Sequence, residues 1–265
     1  MNTYNKKYLI GHRGITSIHS ENTLESICYI KKFKNLNNLP FNFGSEFDVM
    51  LTKDDKIVCH HDNNLKRMTN IDIDVCNINY DELKNIKIKN KYKIPLLKNI
   101  LDSFKNLNFL LDIEIKDNFK NDKLNIFINK FSNLICKYDY KNFVIKSFNH
   151  NIINKLKLLV PDLKIGYLIE YFDESFLNYK NSIIFFDVCL FDEKYCKKKN
   201  IICINKYIKN LQKKNDLGCY TFLSNTNIQN ENLIFDSIIK YNIKYIVTDN
   251  IFHTIFKFNN IHIKL

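Results

Sequence analysis

The sequence predicts a (β/α)8 barrel of the TIM type, and three observations carry that prediction. Short β-like runs recur eight times, with longer segments of helical apolar spacing between them. Alternation of this kind builds parallel βαβ units, and eight such units close on themselves. The chain has 265 residues, more than one average domain but an ordinary length for a single α/β barrel. Gly (5) and Pro (3) are scarce and no Pro/Gly/Ser-rich linker divides the chain, so residues 1–265 read as one barrel domain. An open, doubly wound sheet produces the same alternation and remains the alternative on pattern alone.

Taken in order, the strand-like runs are Tyr8–Gly11, Ser45–Leu51, Phe109–Lys116, Phe143–Phe148, Lys164–Ile169, Ile183–Leu190, Cys219–Leu223 and Tyr245–Thr248. Between them, apolar residues three and four apart mark helices over Thr23–Phe33, Leu124–Cys136, Ile152–Leu159 and Leu233–Tyr241. The stretch Ser182–Ile204 fits either pattern. The second unit is atypical. Lys56–Cys59 reads as a short extra strand, and Asn63–Lys93 is polar, charged and irregular before the helical Leu96–Phe104. An insertion of that kind, about 63–93, often forms a lid or small cap beside a site.

Composition excludes several classes. Apolar residues make up 45% and charged residues 26%, ordinary values for a globular core. Forty Lys+Arg against 28 Asp+Glu give a net charge of +12, which invites an anionic partner, although scattered surface lysines give the same sum. None of the eight cysteines forms a C-x-x-C pair, so neither zinc nor a disulfide framework is expected and a reducing compartment fits better. The first eight residues lack the apolar run of a signal peptide, no stretch of about 18 apolar residues exists, and no N-x-S/T acceptor occurs. A cytoplasmic protein without a membrane span is the expectation.

Barrel active sites form at the C-terminal ends of the strands, so the polar residues there carry the chemistry. The first strand ends in Gly11-His12-Arg13-Gly14; flanking glycines let the backbone approach a ligand, and Arg can hold phosphate oxygens through paired donors. On the second strand, Glu46 and Asp48 are two residues apart and share a face, with Phe47 on the other. On the third, Asp112, Glu114 and Lys116 share a face while Ile113 and Ile115 point to the helices. Grouped carboxylates with oxygen donors alone suit Mg²⁺ or Ca²⁺ rather than zinc; a layer of ion-paired charges is the bland alternative. His60-His61-Asp62 follows the extra strand, and adjacent residues there point apart, so one histidine faces a site as a general acid. His19, His150, His253 and His262 read as surface or supporting residues.

In order and spacing, these segments resemble the glycerophosphodiester phosphodiesterase family. The match runs through His12-Arg13-Gly14, Glu21-Asn22-Thr23, Glu46-Phe47-Asp48, Leu51-Thr52-Lys53-Asp54, His61-Asp62, Met68-Thr69-Asn70, Ile94-Pro95-Leu96-Leu97, Glu114-Ile115-Lys116, Ser147-Phe148 and Thr248-Asp249. The resemblance implies hydrolysis of a glycerophosphodiester to glycerol 3-phosphate and an alcohol, with one divalent cation, Mg²⁺ or Ca²⁺. It implies Glu46, Asp48 and Glu114 as metal ligands and His12 and His61 as the catalytic pair. His12 would take the proton of the attacking oxygen and His61 would protonate the departing alcohol. Arg13 and Lys116 would hold phosphate, and Glu21 and Asn22 would support, with Glu21 near the metal shell.

The chain departs from the family pattern at Ser20, where Pro is usual, and at Thr248-Asp249-Asn250-Ile251, which lacks the usual Pro. Trp is absent. Phe222 aligns with the family's pocket Trp on the seventh strand, with Tyr220 as the other choice. Three further readings stay open: a lysophospholipase D-type enzyme acting on lysophospholipids in peripheral contact with lipid, a barrel that binds phosphodiesters without turnover, and a nucleic-acid binder. The last rests on charge alone, since no clustered basic and aromatic stripe is present, and no nucleic-acid partner is expected. Oligomeric state is not readable from the chain.

Overall fold

Alternation of apolar and polar residues along each strand decides the architecture. The computed structural model describes residues 7–36, 39–118, 123–222 and 231–262. The strands are β1 (Lys7–Gly11), β2 (Phe41–Leu51), β3 (Ile57–Cys59), β4 (Lys87–Ile88), β5 (Tyr92–Lys93), β6 (Leu110–Ile115), β7 (Phe143–Ser147), β8 (Lys164–Ile169), β9 (Ile183–Asp187), β10 (Asp216–Phe222) and β11 (Tyr245–Thr248). Eight of them run parallel in the order β1-β11-β10-β9-β8-β7-β6-β2, and β1 pairs with β2 to close the barrel. The expected closed (β/α)8 barrel is therefore the fold. The short β3 pairs antiparallel with the end of β2, Val49 opposite Cys59.

Residues facing outward from the strands, such as Phe47, Ile113, Ile145 and Phe186, pack under the helices in one continuous core. Inward residues form a second cluster that includes Ile10, Leu110, Val144, Leu168, Phe185 and Val247. Phe185 is its centre. Gly166 and Gly218 on the flanking strands leave room for the ring; an added Cβ would lie 2.8 Å from Phe185 at position 166 and 2.4 Å at position 218.

Element ends differ from the sequence reading for local reasons. β2 starts at Phe41 instead of Ser45, and β10 at Asp216 instead of Cys219; the expected end at Leu223 lies outside the described residues. β9 stops at Asp187, where the side chain accepts from the Cys189 N–H at 2.8 Å and turns the chain into a 3-10 segment, Val188–Phe191. The first helix is a true α-helix only over Leu24–Cys28, started by a capping box between Thr23 and Ser26, and continues as 3-10 over Tyr29–Asn35. The later helices Leu124–Ile135 and His150–Leu159 follow their amphipathic spacing.

The 63–93 insertion is more ordered than its polar sequence suggests. It holds two single-turn helices, Lys66–Thr69 and Tyr80–Leu83, and the β4–β5 ribbon. Leu65, Met68, Val75, Leu83 and Ile88 pack with Met50 and Val58 into a satellite core against the β2–β3 pair.

The tight fit around Phe185 yields a stability prediction. Gly218→Ala should lower the free energy of unfolding by about 1–3 kcal/mol through overpacking. Phe185→Leu in the same chain should recover part of that loss, measured by urea denaturation of the single and double variants.

Candidate active site

The turn after β1 is shaped to grip Glu46. Arg13 adopts a left-handed conformation, φ 54°, and Gly14 follows at φ 86°. This aims two successive N–H groups at the second strand. The Arg13 N–H donates to Glu46 Oε2 at 2.6 Å and the Gly14 N–H to the Glu46 backbone oxygen at 2.8 Å. Gly14 has no substitute here, because a Cβ would meet the Ser26 backbone carbon at 2.5 Å. Asn22, also left-handed at φ 55°, holds Asp48 twice. Its Nδ2 donates to Asp48 Oδ2 at 2.7 Å, and its Oδ1 accepts from the Asp48 N–H at 2.9 Å.

Strand register brings in the third carboxylate. Glu46 lies opposite Asp112 and Asp48 opposite Glu114 across β2 and β6. Glu46, Asp48 and Glu114 are all buried, and one oxygen from each lies within 4.8 Å of the others. Like charges at that spacing repel by about 3–4 kcal/mol per pair at an effective dielectric constant of 20. Burial and the Asp48 charge raise the pKa of both Glu46 and Glu114. Asp48 is also penalised by burial, but Lys116, His61 and Arg13 outweigh that and hold it well below the usual carboxylate range. Glu46 Oε1 is buried without a hydrogen-bond partner among the described residues. An all-oxygen donor set with one orphaned buried oxygen fits a hard divalent cation.

Cations surround the cluster. Lys116 Nζ sits 3.0 Å from Asp48 Oδ1 and donates to Glu114 Oε1. Arg13 Nη1 donates to Glu21 Oε1 at 3.0 Å, and its Nε lies 3.7 Å from Asp48. Glu21 is thus one residue removed from the three carboxylates, reached through Arg13, and Arg67 of the insertion holds it from the other side at 2.6 Å. Deeper in the barrel, Lys146 Nζ donates to Asp112 Oδ2 at 2.7 Å, with both residues buried. Its ammonium also lies 4.8 Å above the Phe185 ring.

Both expected histidines stand at the cluster, and each has a carboxylate on Nδ1. His12 Nδ1 is 2.6 Å from Asp249 Oδ1, and His61 Nδ1 is 2.7 Å from Asp62 Oδ1. Nε2 is therefore the ring nitrogen left for proton transfer in each. Burial works against a charged His12, but the bond to Asp249 and the charge of Glu46 raise its pKa overall. For His61 burial wins over Asp48, and its pKa is lowered. His60 points away into the fold and is buried. His150 is structural: it bonds the Tyr179 hydroxyl at 2.7 Å and the Leu168 carbonyl at 2.9 Å. His19 bonds the Tyr92 hydroxyl at 3.2 Å and His253 pairs with Glu231 at 2.8 Å; the His262 side chain lies outside the described residues.

Phe222 is not where the sequence alignment puts it. The ring is wholly buried under the helices, 6.4 Å from the Phe235 ring. The reason is a bulge. Register with β11 shifts between Cys219 and Phe222, and Thr221 has φ 62°, so residues 220 and 222 no longer share a face. Tyr220 takes the inward position instead, its hydroxyl donating to the Ile169 carbonyl at 2.7 Å and its ring edge-on to Phe148.

Sequence reasoning gave no role to Asp249, Asp62, Arg67 or Lys146. The Asp62 partner is adjacent to its histidine, and Lys146 is a lysine on a strand whose neighbours Val144 and Ile145 are buried; both signals were legible. Asp249 acts on His12, 237 positions away, and Arg67 joins the nearby Asp62 to Glu21, 46 positions away.

The fold and this grouping, two carboxylate-held histidines beside a buried carboxylate trio and two fixed cations, describe a barrel enzyme. Known proteins narrow that class. A sequence model of the glycerophosphoryl diester phosphodiesterase family matches residues 12–253, so the chain belongs to that family and is an enzyme of its class. A glycerophosphodiester phosphodiesterase of Caldanaerobacter subterraneus subsp. tengcongensis is 32% identical over 173 residues, 62% of this chain and 68% of that protein. A human lysophospholipase D is 28% identical over 178 residues; those cover 61% of this chain but about half, 51%, of the human protein. Among solved structures, a glycerophosphodiester phosphodiesterase from Parabacteroides distasonis superimposes with a TM-score of 0.70 at 20% identity, covering 92% of this chain and 93% of the other. An Oleispira antarctica phosphodiesterase in complex with the product sn-glycerol-3-phosphate gives 0.73 at 18% identity, covering 91% and 92%. At those identities the structures share the barrel with this chain.

The buried Lys146–Asp112 pair can be tested directly. Lys146→Met leaves Asp112 uncompensated beside other carboxylates and should destabilise the fold by about 3–5 kcal/mol. Adding Asp112→Leu should return most of it, read from chemical denaturation of both variants.

Proposed function

We propose that the chain hydrolyses a glycerophosphodiester to glycerol 3-phosphate and an alcohol, with a divalent cation, Mg²⁺ or Ca²⁺, held by Glu46, Asp48 and Glu114. The observation that carries this reading is the buried carboxylate trio flanked by two carboxylate-held histidines. When bound, the cation supplies Lewis-acid polarisation of the phosphoryl group and neutralises the trio. Arg13 and Lys116 hold the phosphate and offset the negative charge that grows in the transition state. Their present partners, Glu21, Asp48 and Glu114, keep both side chains aimed at the cluster.

His12 acts as the general base toward the attacking oxygen, water or the neighbouring glycerol hydroxyl. Asp249 on Nδ1 fixes the tautomer with Nε2 open and stabilises the imidazolium that forms, the logic of a catalytic triad. His61, with Asp62 on Nδ1, protonates the departing alcohol from Nε2. Asp62 orients its ring, and Arg67 ties Asp62 to Glu21. Glu21 and Asn22 position Arg13 and Asp48. No helix among the described residues is long and apolar enough to cross a membrane. The free cysteines fit a reducing, cytoplasmic setting.

A second reading, release of a head group from a lysophospholipid, is favoured by the likeness to the human lysophospholipase D and by the exposed rings of Phe148 and Tyr171. Turnover of lysophosphatidylcholine in mixed micelles above that of soluble glycerophosphocholine would select it.

His12→Ala and His61→Ala should each reduce kcat by about 10²–10⁴-fold while calorimetry shows cation binding retained. Wild-type rates in either variant would remove that histidine from the mechanism. Asn22→Ala, which frees Asp48 from both of its bonds, should weaken cation affinity by about 10–100-fold. Titration of Mg²⁺ and Ca²⁺ into the EDTA-stripped protein measures this without reference to turnover.

A further inference from the structure

The barrel mouth has two chemically different halves. The carboxylate trio, both histidines and both phosphate-directed cations come from β2, β6 and the segments that follow β1, β3 and β6. On the opposite side, the ends of β7 to β10 line a cavity of about 400 Å³ that the reaction described above does not use. Phe148 follows β7, Glu170 and Tyr171 follow β8, Asp187 ends β9, and Tyr220 lies near the end of β10. All five sit at the same end of the barrel as Glu46 and Glu114.

Three properties of this wall point to one kind of ligand. Its faces are aromatic: Phe148 and Tyr171 are 42% and 56% exposed, and Tyr220 stands edge-on to Phe148 with ring centroids 6.0 Å apart. Its charge is negative, in a chain of net charge +12. Neither Glu170 nor Asp187 forms an ion pair with a lysine or arginine among the described residues, and Lys199, at the outer rim, is the one base on the wall against two acids. The cavity also adjoins the reacting centre. Phe148 follows β7, whose Lys146 lies opposite Glu114 of β6, so the cavity begins on the strand next to the carboxylate trio.

We infer that this cavity is the subsite for the alcohol half of the substrate and that it selects an alcohol carrying a fixed positive charge, a quaternary or primary ammonium. The inference rests on the phosphodiesterase reading and deepens it. Aromatic faces attract a cation through the ring quadrupole, and a quaternary ammonium is the ligand such faces recognise best. Two carboxylates beside the rings add Coulombic attraction that a neutral alcohol cannot use. An anionic alcohol would meet repulsion from both acids. The glycerol half is neutral and gains nothing from the pair. The zwitterionic diester is thus matched at both ends, its phosphate by Arg13 and Lys116 and its ammonium by Glu170 and Asp187.

The test compares kcat/KM for glycerophosphocholine and glycerophosphoglycerol, which share the phosphoglycerol half and differ in the charge of the alcohol. The wild-type enzyme, assayed with Mg²⁺ or Ca²⁺, should prefer the choline diester by about tenfold or more. The Glu170→Gln, Asp187→Asn double variant should bring that ratio close to one. Asn at 187 keeps an acceptor for the Cys189 N–H, so the turn after β9 is preserved. Equal turnover of the two diesters by the wild type, or an unchanged ratio in the double variant, would overturn the inference. Calorimetric titration with choline alone separates this from the reaction itself. If neither diester is hydrolysed, the phosphodiesterase reading fails. Choline binding that the double variant loses would still support the subsite, and no binding by the wild type would overturn it.

Discussion

Burial of negative charge is the constraint on which the rest of this structure depends. Glu46, Asp48, Asp112 and Glu114 are removed from water on two adjacent strands, and an isolated buried carboxylate costs several kcal/mol. The fold meets this in three ways. Backbone N–H groups of the turn after β1 bond Glu46, Asn22 closes on Asp48, and Lys116 and Lys146 supply ammonium groups from β6 and β7. What is left over, an orphaned oxygen on Glu46 and another on Asp112 with raised pKa values at Glu46, Asp112 and Glu114, is an excess of negative charge that a divalent cation at the trio would offset. Site and stability are therefore one electrostatic problem. Evolution can adjust the lysines only within the range that keeps the carboxylates ionised and close.

The division of labour within the barrel follows from topology. A closed parallel sheet puts every strand's C-terminal end on one rim, so chemistry and recognition can be carried on different strands and still face one substrate. Here the strands closest to the N-terminus gather acids, histidines and phosphate-directed cations, while β7 to β10 gather rings. Phe185, seated between Gly166 and Gly218, fills the interior below both halves, and Lys146 lies over that ring. On the reading inferred above, a substitution at Glu170, Tyr171 or Asp187 would change what binds without passing through the carboxylate network.

Much of this was readable from the chain because period-two alternation is a strong signal. It placed Glu46 with Asp48 and Asp112 with Glu114 on inward faces, and the eight strand runs fell close to the observed strands. What escaped reading depends on backbone angles that side chains do not announce. Arg13 and Asn22 are left-handed non-glycine residues, and their grip on Glu46 and Asp48 follows from that. Thr221, left-handed too, turns Phe222 away and leaves Tyr220 inward; counting residues along an unbroken strand puts both on one face. The pairing of His12 with Asp249 spans 237 residues and exists only because the barrel closes. The insertion looked irregular because its apolar residues are spaced for a small core of turns instead of for one helix or strand.

That small core has a consequence for how the molecule fails. His61 and Asp62 lie at the edge of the insertion, and Arg67 within it is the strut that ties Asp62 to Glu21 on the far bank. The satellite core is a modest set of side chains hung from the β2–β3 pair, so it is the sort of unit that opens locally before the barrel does. Opening would take His61 and the Arg67 tie across the mouth together, while Glu46, Asp48 and Glu114 on β2 and β6 would stay in place. Under the proposed mechanism, warming would cost the chain a proton-transfer group before it cost the barrel its fold, and cooling would restore it. The insertion would thus act as a fuse.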